Sequence, residues 1–154
     1  MGWSSHHPVG LIHYSPQQCY RGYNLPTNAR GSNDAFLMDM EGRICHRWHS
    51  DEGIGYAHLL PYGNLLIRTA APADAGGAEK IGGSSAAILE LDWDSNVVWE
   101  YRDPLVHHDF ERLPNGNTLV LLFEILSPDL TARIRGGIAG DADPESMFGD
   151  QIRE

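Results

Sequence analysis

The chain has little positive charge, few cysteines and no long apolar run. Its 154 residues carry 11 Lys and Arg against 21 Asp and Glu, a formal net charge of −10, which disfavours a nucleic acid or an anionic membrane as partner. No run approaches the roughly 18 apolar residues of a membrane-spanning helix. The opening segment MGWSSHHPVGLIHYSPQQ has no basic stretch followed by an apolar one, so no secretory signal is predicted and the cytoplasm is the expected compartment.

A pattern occurs twice in the chain, 53 residues apart, and the two copies align without a gap. The first copy reads DMEGRICHRW (39–48) and LLPYGNLLI (59–67), and the second reads DWDSNVVWEY (92–101) and RLPNGNTLV (112–120). Each copy combines short apolar runs with tight turns, in which Pro sets φ near about −65° and Gly accepts a positive φ. A repeat of ~40–50 residues made of four short strands is typical of a propeller blade.

The apolar runs predict eight strands and the beginning of a ninth. Their bounds are about 35–40, 44–49, 54–60, 64–69, 86–92, 97–102, 107–113 and 117–124, with 151–154 opening the last. The predicted fold class is all-β, with β-propeller blades of four antiparallel strands. Residues 1–154 are expected to be part of a single β-propeller domain, with one complete blade at about 54–102 and partial blades before and after it.

This number of strands does not close a propeller. Such rings have about four to eight blades, and closure removes their open sheet edges. The chain holds one complete predicted blade and parts of two others, so the ring within it is incomplete. Either the chain is the N-terminal part of a longer protein, or other chains complete the ring.

Two longer segments, 69–86 and 127–150, interrupt the strand pattern and join one predicted hairpin to the next. They are either flexible connections or a wall or lid over the mouth of the channel. Within the second segment, residues 130–134 are expected to make one helical turn.

The two cysteines, Cys19 and Cys45, could pair with each other, but free thiols are expected, because two cysteines in a chain without a secretory signal are more often free. Cys45 aligns with Val98 in the repeat. We therefore expect Cys45 to pack as a small apolar residue.

The eight histidines are the strongest candidates for chemistry. His107 and His108, followed by Asp109, open the first strand after the complete blade, and first strands line the channel of a propeller. A channel imidazole oriented by a carboxylate suits acid–base or nucleophilic work. Asp109 either orients one of the two rings or stabilises the local turn. Because adjacent side chains on a strand face opposite sides, only one ring is expected to face the channel, and metal binding is not expected.

The remaining histidines give weaker signals. His58 lies in an apolar run before the LLPYGN turn, and it either points at the channel or belongs to the core. The others are expected to be solvated, or to be surface or hydrogen-bonded histidines: His6, His7, His13, His46 and His49.

The ordered motifs resemble the aryl sulfotransferase family. They are GYNL (22–25), the apolar run before DMEG, HRW (46–48), AHLLPYGNLL (57–66), ELDWDSNVVWEY (90–101) and HHDFERLPNGNTLVL (107–121), and the tail with ARIRGGIAGD (132–141) and GDQIRE (149–154) resembles their continuation. The resemblance covers residues 8–154. It implies that the chain supplies the N-terminal part of a six-bladed propeller. It also implies transfer of a sulfuryl group from a phenolic sulfate ester to a phenol, through a sulfated histidine in the channel and without a nucleotide-linked sulfate donor.

By this resemblance, His107 and His108 match the paired histidine that the family carries before its Asp-Phe and LPNGN segment. The implied role is to bind the sulfate or to act as acid and base. The sulfated histidine of the family is expected in a later blade, beyond Glu154. The implied partners are an aryl sulfate and a phenol, and no cofactor is implied.

The chemistry also requires cations, because charge develops on the sulfuryl oxygens and on the leaving phenolate. Arg102 and Arg112 flank the histidine pair, and Arg68 follows the first LPYGN turn. Each is either a surface arginine or part of an oxyanion clamp. The predicted catalytic residues are therefore His107 and His108, and the predicted substrate-binding residues are His58, Arg102, Asp109 and Arg112.

Two other functions stay open at this point. A noncatalytic propeller whose channel or rim binds a ligand or a protein has the same fold, because fold alone does not determine function. A quinoprotein-like dehydrogenase propeller is disfavoured, because no cofactor-binding or calcium-binding constellation is visible in the sequence.

Overall fold

The chain is all-β. A computed structural model describes residues 11–27, 32–71, 83–135 and 147–154, and over these residues it has nine strands and one helical turn. The elements are β1 (Ser32–Met38), β2 (Ile44–Ile54), β3 (Tyr56–Leu59), β4 (Leu65–Arg68), β5 (Ala87–Leu91), β6 (Val97–Arg102), β7 (Val106–Arg112), β8 (Thr118–Ile125), α1 (Pro128–Thr131) and β9 (Phe148–Arg153).

Every predicted strand has a counterpart in the structure; β6 has the predicted ends, and the other strands have shifted ends. The largest difference is in β2, which continues to Ile54 and takes the residue expected to open the next strand. The helical turn begins at Pro128, before the expected segment, because the Ser127 side chain accepts a hydrogen bond from the Leu130 backbone N–H and caps it. His6, His7 and the loop segments 72–82 and 136–146 lie outside the described residues.

The strands form three antiparallel sheets. The first sheet is β1-β2, the second has the order β3-β4-β5-β6, and the third has the order β7-β8-β9. In the second sheet Ile67 of β4 pairs with Leu89 of β5. In the third sheet Val120, which aligns with Ile67 in the repeat, pairs with Arg153 of β9. The closed ring and the number of blades stay predictions.

The two Leu-Pro-x-Gly-Asn turns have the same hydrogen bonds. In the first turn the Leu60 N–H donates to the Asn64 carbonyl over 2.8 Å, and the Gly63 N–H donates to the Leu60 carbonyl over 2.9 Å. The second turn repeats both bonds, with the same lengths, between Leu113, Asn117 and Gly116. Gly63 and Gly116 have φ of 97° and 91°, which glycine adopts without steric cost. The turn chemistry therefore determines where β3 joins β4 and where β7 joins β8.

The sheets pack face to face around two apolar clusters. One cluster lies between the first and second sheets and includes Trp48, Ile67 and Leu89. The other lies between the second and third sheets and includes Leu66 and Val120. Both faces of the second sheet are therefore buried, which explains why the residues of β4 and β5 are all buried.

Cys45 does not pack as the sequence predicted. It is an exposed free thiol, as is Cys19. Cys45 lies on β2, at the edge of the first sheet, and Val98 on the edge strand β6 is also 53% exposed. An edge strand has a neighbour on one side only, so the apolar character of the aligned residue does not imply burial.

In the part of the chain that the structure describes, no helix is long and apolar enough to cross a membrane.

Candidate functional site

His107 and His108 lie at a bulge in β7. Val106 pairs with Leu122 and Phe110 pairs with Val120, so three residues of β7 stand opposite one residue of β8. His108 has a φ of 49°, in the left-handed region that a non-glycine residue rarely adopts. The alternation expected of a regular strand is therefore broken at this point.

The bulge brings the two imidazoles together. Their Nδ1 atoms are 2.9 Å apart, and the rings meet edge to face with centroids 5.2 Å apart. The expectation that only one ring faces the channel assumed a regular strand; the alternation is broken here and the two rings contact each other, and which ring faces a channel stays a prediction. A hydrogen bond between two Nδ1 atoms requires a hydrogen on one and a lone pair on the other, so the two rings hold complementary tautomers.

The segment before β5 positions the pair. The His108 N–H donates to the Gly83 carbonyl over 2.9 Å, and Ser84 forms a β-bridge with His107. Gly83 has a φ of 87°, and a Cβ added to it would lie 2.4 Å from Nε2 of His108. The imidazole of His108 therefore lies directly against the backbone of Gly83.

We expect Gly83→Ala to displace the ring of His108 and to lower the free energy of unfolding by about 1–2 kcal/mol, since L-residues pay that much in the left-handed region. Thermal unfolding and the histidine ring signals in NMR spectra measure the two effects. Gly63→Ala is the matched control, because Gly63 has a φ of 97° and no atom within 4 Å of an added Cβ. Equal ring spectra for the two variants would contradict the contact between Gly83 and His108.

His107 is buried. Its side chain is 3% exposed and its ring stacks on Phe123, with centroids 3.8 Å apart. Burial lowers the pKa of His107 below its ordinary value, because an apolar environment disfavours the charged form. Nε2 lies 3.3 Å from Oδ1 of Asp150, but the contact lacks hydrogen-bond alignment, so Nε2 has no hydrogen-bond partner among the described residues.

Arg68 is a buried cation next to this pair. It ends β4, is 6% exposed, and donates from Nη1 to the Ser84 carbonyl over 3.1 Å. Among the described residues no carboxylate pairs with Arg68, and its Nε has no hydrogen-bond partner. Burial lowers the pKa of the guanidinium, and its charge helps to lower the pKa of His107. A buried cation without a counterion favours binding of an anion.

The two other predicted arginines have carboxylate partners. Arg102 binds both carboxylate oxygens of Glu52 at 2.8 Å. Arg112 donates to Glu90 over 2.7 Å, and its guanidinium lies over Trp99 with 4.5 Å between the carbon and the ring centroid. Their charges are therefore already balanced within the protein.

His58 and Asp109, the other two predicted binding residues, are exposed. His58 lies on β3 with its Nδ1 3.9 Å from a carboxylate oxygen of Glu111 on β7, so it does not belong to the core. Asp109 accepts a hydrogen bond from the Phe110 N–H over 2.9 Å, which stabilises the local backbone. Among the described residues, Asp150 places a carboxylate oxygen 3.3 Å from Nε2 of His107.

The remaining described histidines have polar partners. His13 shares a hydrogen bond with Ser15, and Nε2 of His46 lies 2.9 Å from the Trp93 carbonyl oxygen. His49 lies between two carboxylates, with Nδ1 at 2.9 Å from Asp34 and Nε2 at 3.1 Å from Asp51. The hydrogen bond to Asp34, followed by that to Asp51, raises the pKa of His49.

Sequence reasoning missed two of the groups around the pair, Gly83 and Asp150, and left the role of Arg68 open. Arg68 has a visible signal, since it ends the run LLIR, in which all four residues are buried. Gly83 and Asp150 have no signal of their own, because both fall in segments without strand periodicity. No group of three or more His, Cys, Asp or Glu side chains suited to a metal ion occurs within the described ranges.

The chain was compared with family models, curated proteins and solved structures, and none of them matches it. The interpretation of the site therefore depends on its own geometry.

Proposed function

We propose that this chain is part of a β-propeller that transfers a sulfuryl group from an aryl sulfate to a phenol. The observation that supports the proposal best is a buried arginine, with no carboxylate partner among the described residues, bonded to Ser84 beside a hydrogen-bonded pair of imidazoles. A sulfate ester carries one negative charge and three oxygens that accept hydrogen bonds. Arg68 supplies the opposite charge, and the pair supplies the acid–base groups.

The propeller part of the proposal is supported by the way the sheets stack. Two successive sheets begin with hairpins whose turns have identical hydrogen bonds, and an apolar cluster joins each sheet to the next. Repetition of one antiparallel unit about an axis produces a propeller. Further units, on this chain or on others, complete the ring in this proposal.

His108 is the residue of the pair that reaches substrate, because it is exposed whereas His107 is buried. It takes the proton of the acceptor phenol and gives a proton to the oxygen of the leaving phenol. The sulfur–oxygen bond of the donor breaks and a sulfur–oxygen bond to the acceptor forms, so protons and charge balance over the cycle. His107 orients His108 through the bond between their Nδ1 atoms.

Arg68 lowers the barrier by compensating charge on the sulfuryl oxygens as the bond to the leaving group breaks. Asp150 lies 3.3 Å from Nε2 of His107 and favours positive charge on the pair when His108 holds the proton.

We place the reaction in the cytoplasm, which agrees with the two exposed free thiols, and the net charge of −10 argues against a nucleic-acid partner.

The test is sulfuryl transfer from 4-nitrophenyl sulfate to phenol. We expect nitrophenolate release that requires phenol, with phenyl sulfate detected by mass spectrometry in equal amount. Arg43→Gln should keep this activity, because Arg43 is exposed and pairs with Asp39. Binding of the ester without turnover would favour the noncatalytic module instead. Release that does not require phenol would contradict transfer.

A further inference from the structure

A buried ion pair joins the second sheet to the third. Glu90 of β5 accepts a hydrogen bond from the Asn64 side chain over 2.7 Å and a second from Nη2 of Arg112 over 2.7 Å. The side chains of Arg112 and Glu90 are only 14% and 9% exposed. Arg112 directly precedes the Leu-Pro-Asn-Gly-Asn turn of the third sheet. The glutamate and the asparagine that bonds to it therefore belong to the second sheet, and the arginine belongs to the third sheet.

The third sheet repeats the first half of this arrangement. The pairing of Ile67 with Leu89 and of Val120 with Arg153 places Glu154 at the position that Glu90 has in the second sheet. The Asn117 side chain donates to Glu154 over 2.8 Å, as Asn64 does to Glu90. Glu154 is exposed, and no arginine bonds to it among the described residues.

The positions of Glu90 and Arg112 are both occupied by apolar residues at the junction between the first and second sheets. The residue that aligns with Glu90 is Leu37, and the residue that aligns with Arg112 is Leu59. Both leucines pack in the apolar cluster between these sheets. At one junction both positions are leucines of the same apolar cluster, and at the other junction a glutamate bonds to an arginine.

The outer face of the third sheet is also apolar. Leu119 and Ile152 align with Leu66 and Ile88, which are 0% exposed beneath the third sheet. Ile152 is 69% exposed, and it borders a groove of about 250 Å³ with Leu119 and Leu121. The face that the second sheet buries is therefore open on the third sheet.

We propose that this outer face binds a β-hairpin of the same repeat, in which an arginine directly before a Leu-Pro-x-Gly-Asn turn pairs with Glu154. The occupant follows from two observations: the face repeats one that already binds such a hairpin within the chain, and its charged residue is a glutamate. The hairpin covers the side chains of Leu119, Leu121 and Ile152, and its arginine completes the contact that Asn117 begins. The proposal does not depend on sulfuryl transfer.

The probe is a backbone-cyclised peptide of residues 104–125, which carries Arg112 and its turn, mixed with the full chain. We expect binding by isothermal titration calorimetry, and a loss of about 30-fold or more when the peptide carries Arg112→Leu, since removing one partner of a buried charge pair is costly. Glu154→Gln in the chain should cause a similar loss. Glu124→Gln is the control, because Glu124 is an exposed residue of β8.

The decisive experiment replaces both charged residues, Glu154 of the chain and Arg112 of the peptide, by leucine. The chain with Glu154→Leu should bind the peptide with Arg112→Leu better than the unchanged chain does, as Leu37 and Leu59 imply. Absence of binding, or affinity that does not depend on the residue at 154, would overturn the proposal. Sedimentation showing that the chain pairs with itself through this face, unaffected by Glu154→Gln, would overturn it as well.

Discussion

His108→Asn should lower aryl sulfate turnover by about 10²–10⁴-fold, the usual contribution of a positioned acid–base group. The side chain of Asn is polar and of similar reach, but it does not exchange protons near neutral pH. The structure places the imidazole of His108 against Gly83 and 2.9 Å from the nitrogen of His107. Initial rates with 4-nitrophenyl sulfate and phenol measure the loss, and His13→Asn, at an exposed histidine, is the matched control.

His107→Asn tests the positioning role through pH as well as rate. Because burial lowers the pKa of His107 below its ordinary 6.5, the unfolded chain binds a proton at slightly acidic pH that the folded chain does not. The free energy of unfolding should therefore fall as pH decreases through about 6.5, and His107→Asn should flatten this dependence. If both single variants fold normally and keep full turnover, the two histidines are structural and the assignment fails.

Arg68→Met should lower turnover by about 10²–10³-fold, the effect of removing one donor to a developing oxyanion. Met matches the length of the stem but carries no charge, so the sulfuryl oxygens lose their cation. The free energy of unfolding should change by no more than about 1 kcal/mol, because the lost hydrogen bond to Ser84 is offset by removal of a buried charge that no described carboxylate pairs with. Turnover and thermal unfolding of the same sample separate the two effects.

Two further variants sharpen this comparison. Arg68→Lys keeps the charge but loses the planar fork of donors, so its turnover should lie between those of the unchanged chain and Arg68→Met. Arg43→Gln removes an exposed arginine and should leave turnover unchanged. Full activity of Arg68→Met would show that the buried guanidinium only supports the Ser84 carbonyl, and the anion site would then be wrong.

The strands were predictable because turns and strand periodicity are local properties. The Pro and Gly residues of the two Leu-Pro-x-Gly-Asn turns determine where the hairpins fold, and the apolar runs on either side form β3, β4, β7 and β8. The position of each strand within its sheet was harder to predict. Cys45 and Val98 belong to edge strands and are exposed, which depends on what lies beside the strand and not on its own residues.

The candidate site also has a part that the sequence predicted and a part that depends on tertiary contacts. The sequence alone pointed to the neighbouring histidines as candidates, because their residue type is chemically distinctive, but it did not single out Arg68 among the three candidate arginines. Only the tertiary structure decided how they meet, since the bulge at His108 depends on β7 pairing with β8 and on the Gly83 backbone beside it. It also decided which of these arginines have a carboxylate partner among the described residues, because Glu52 and Glu90 reach Arg102 and Arg112 from distant parts of the chain. Burial and charge compensation are properties of neighbours in space, and the order of residues along the chain does not contain them.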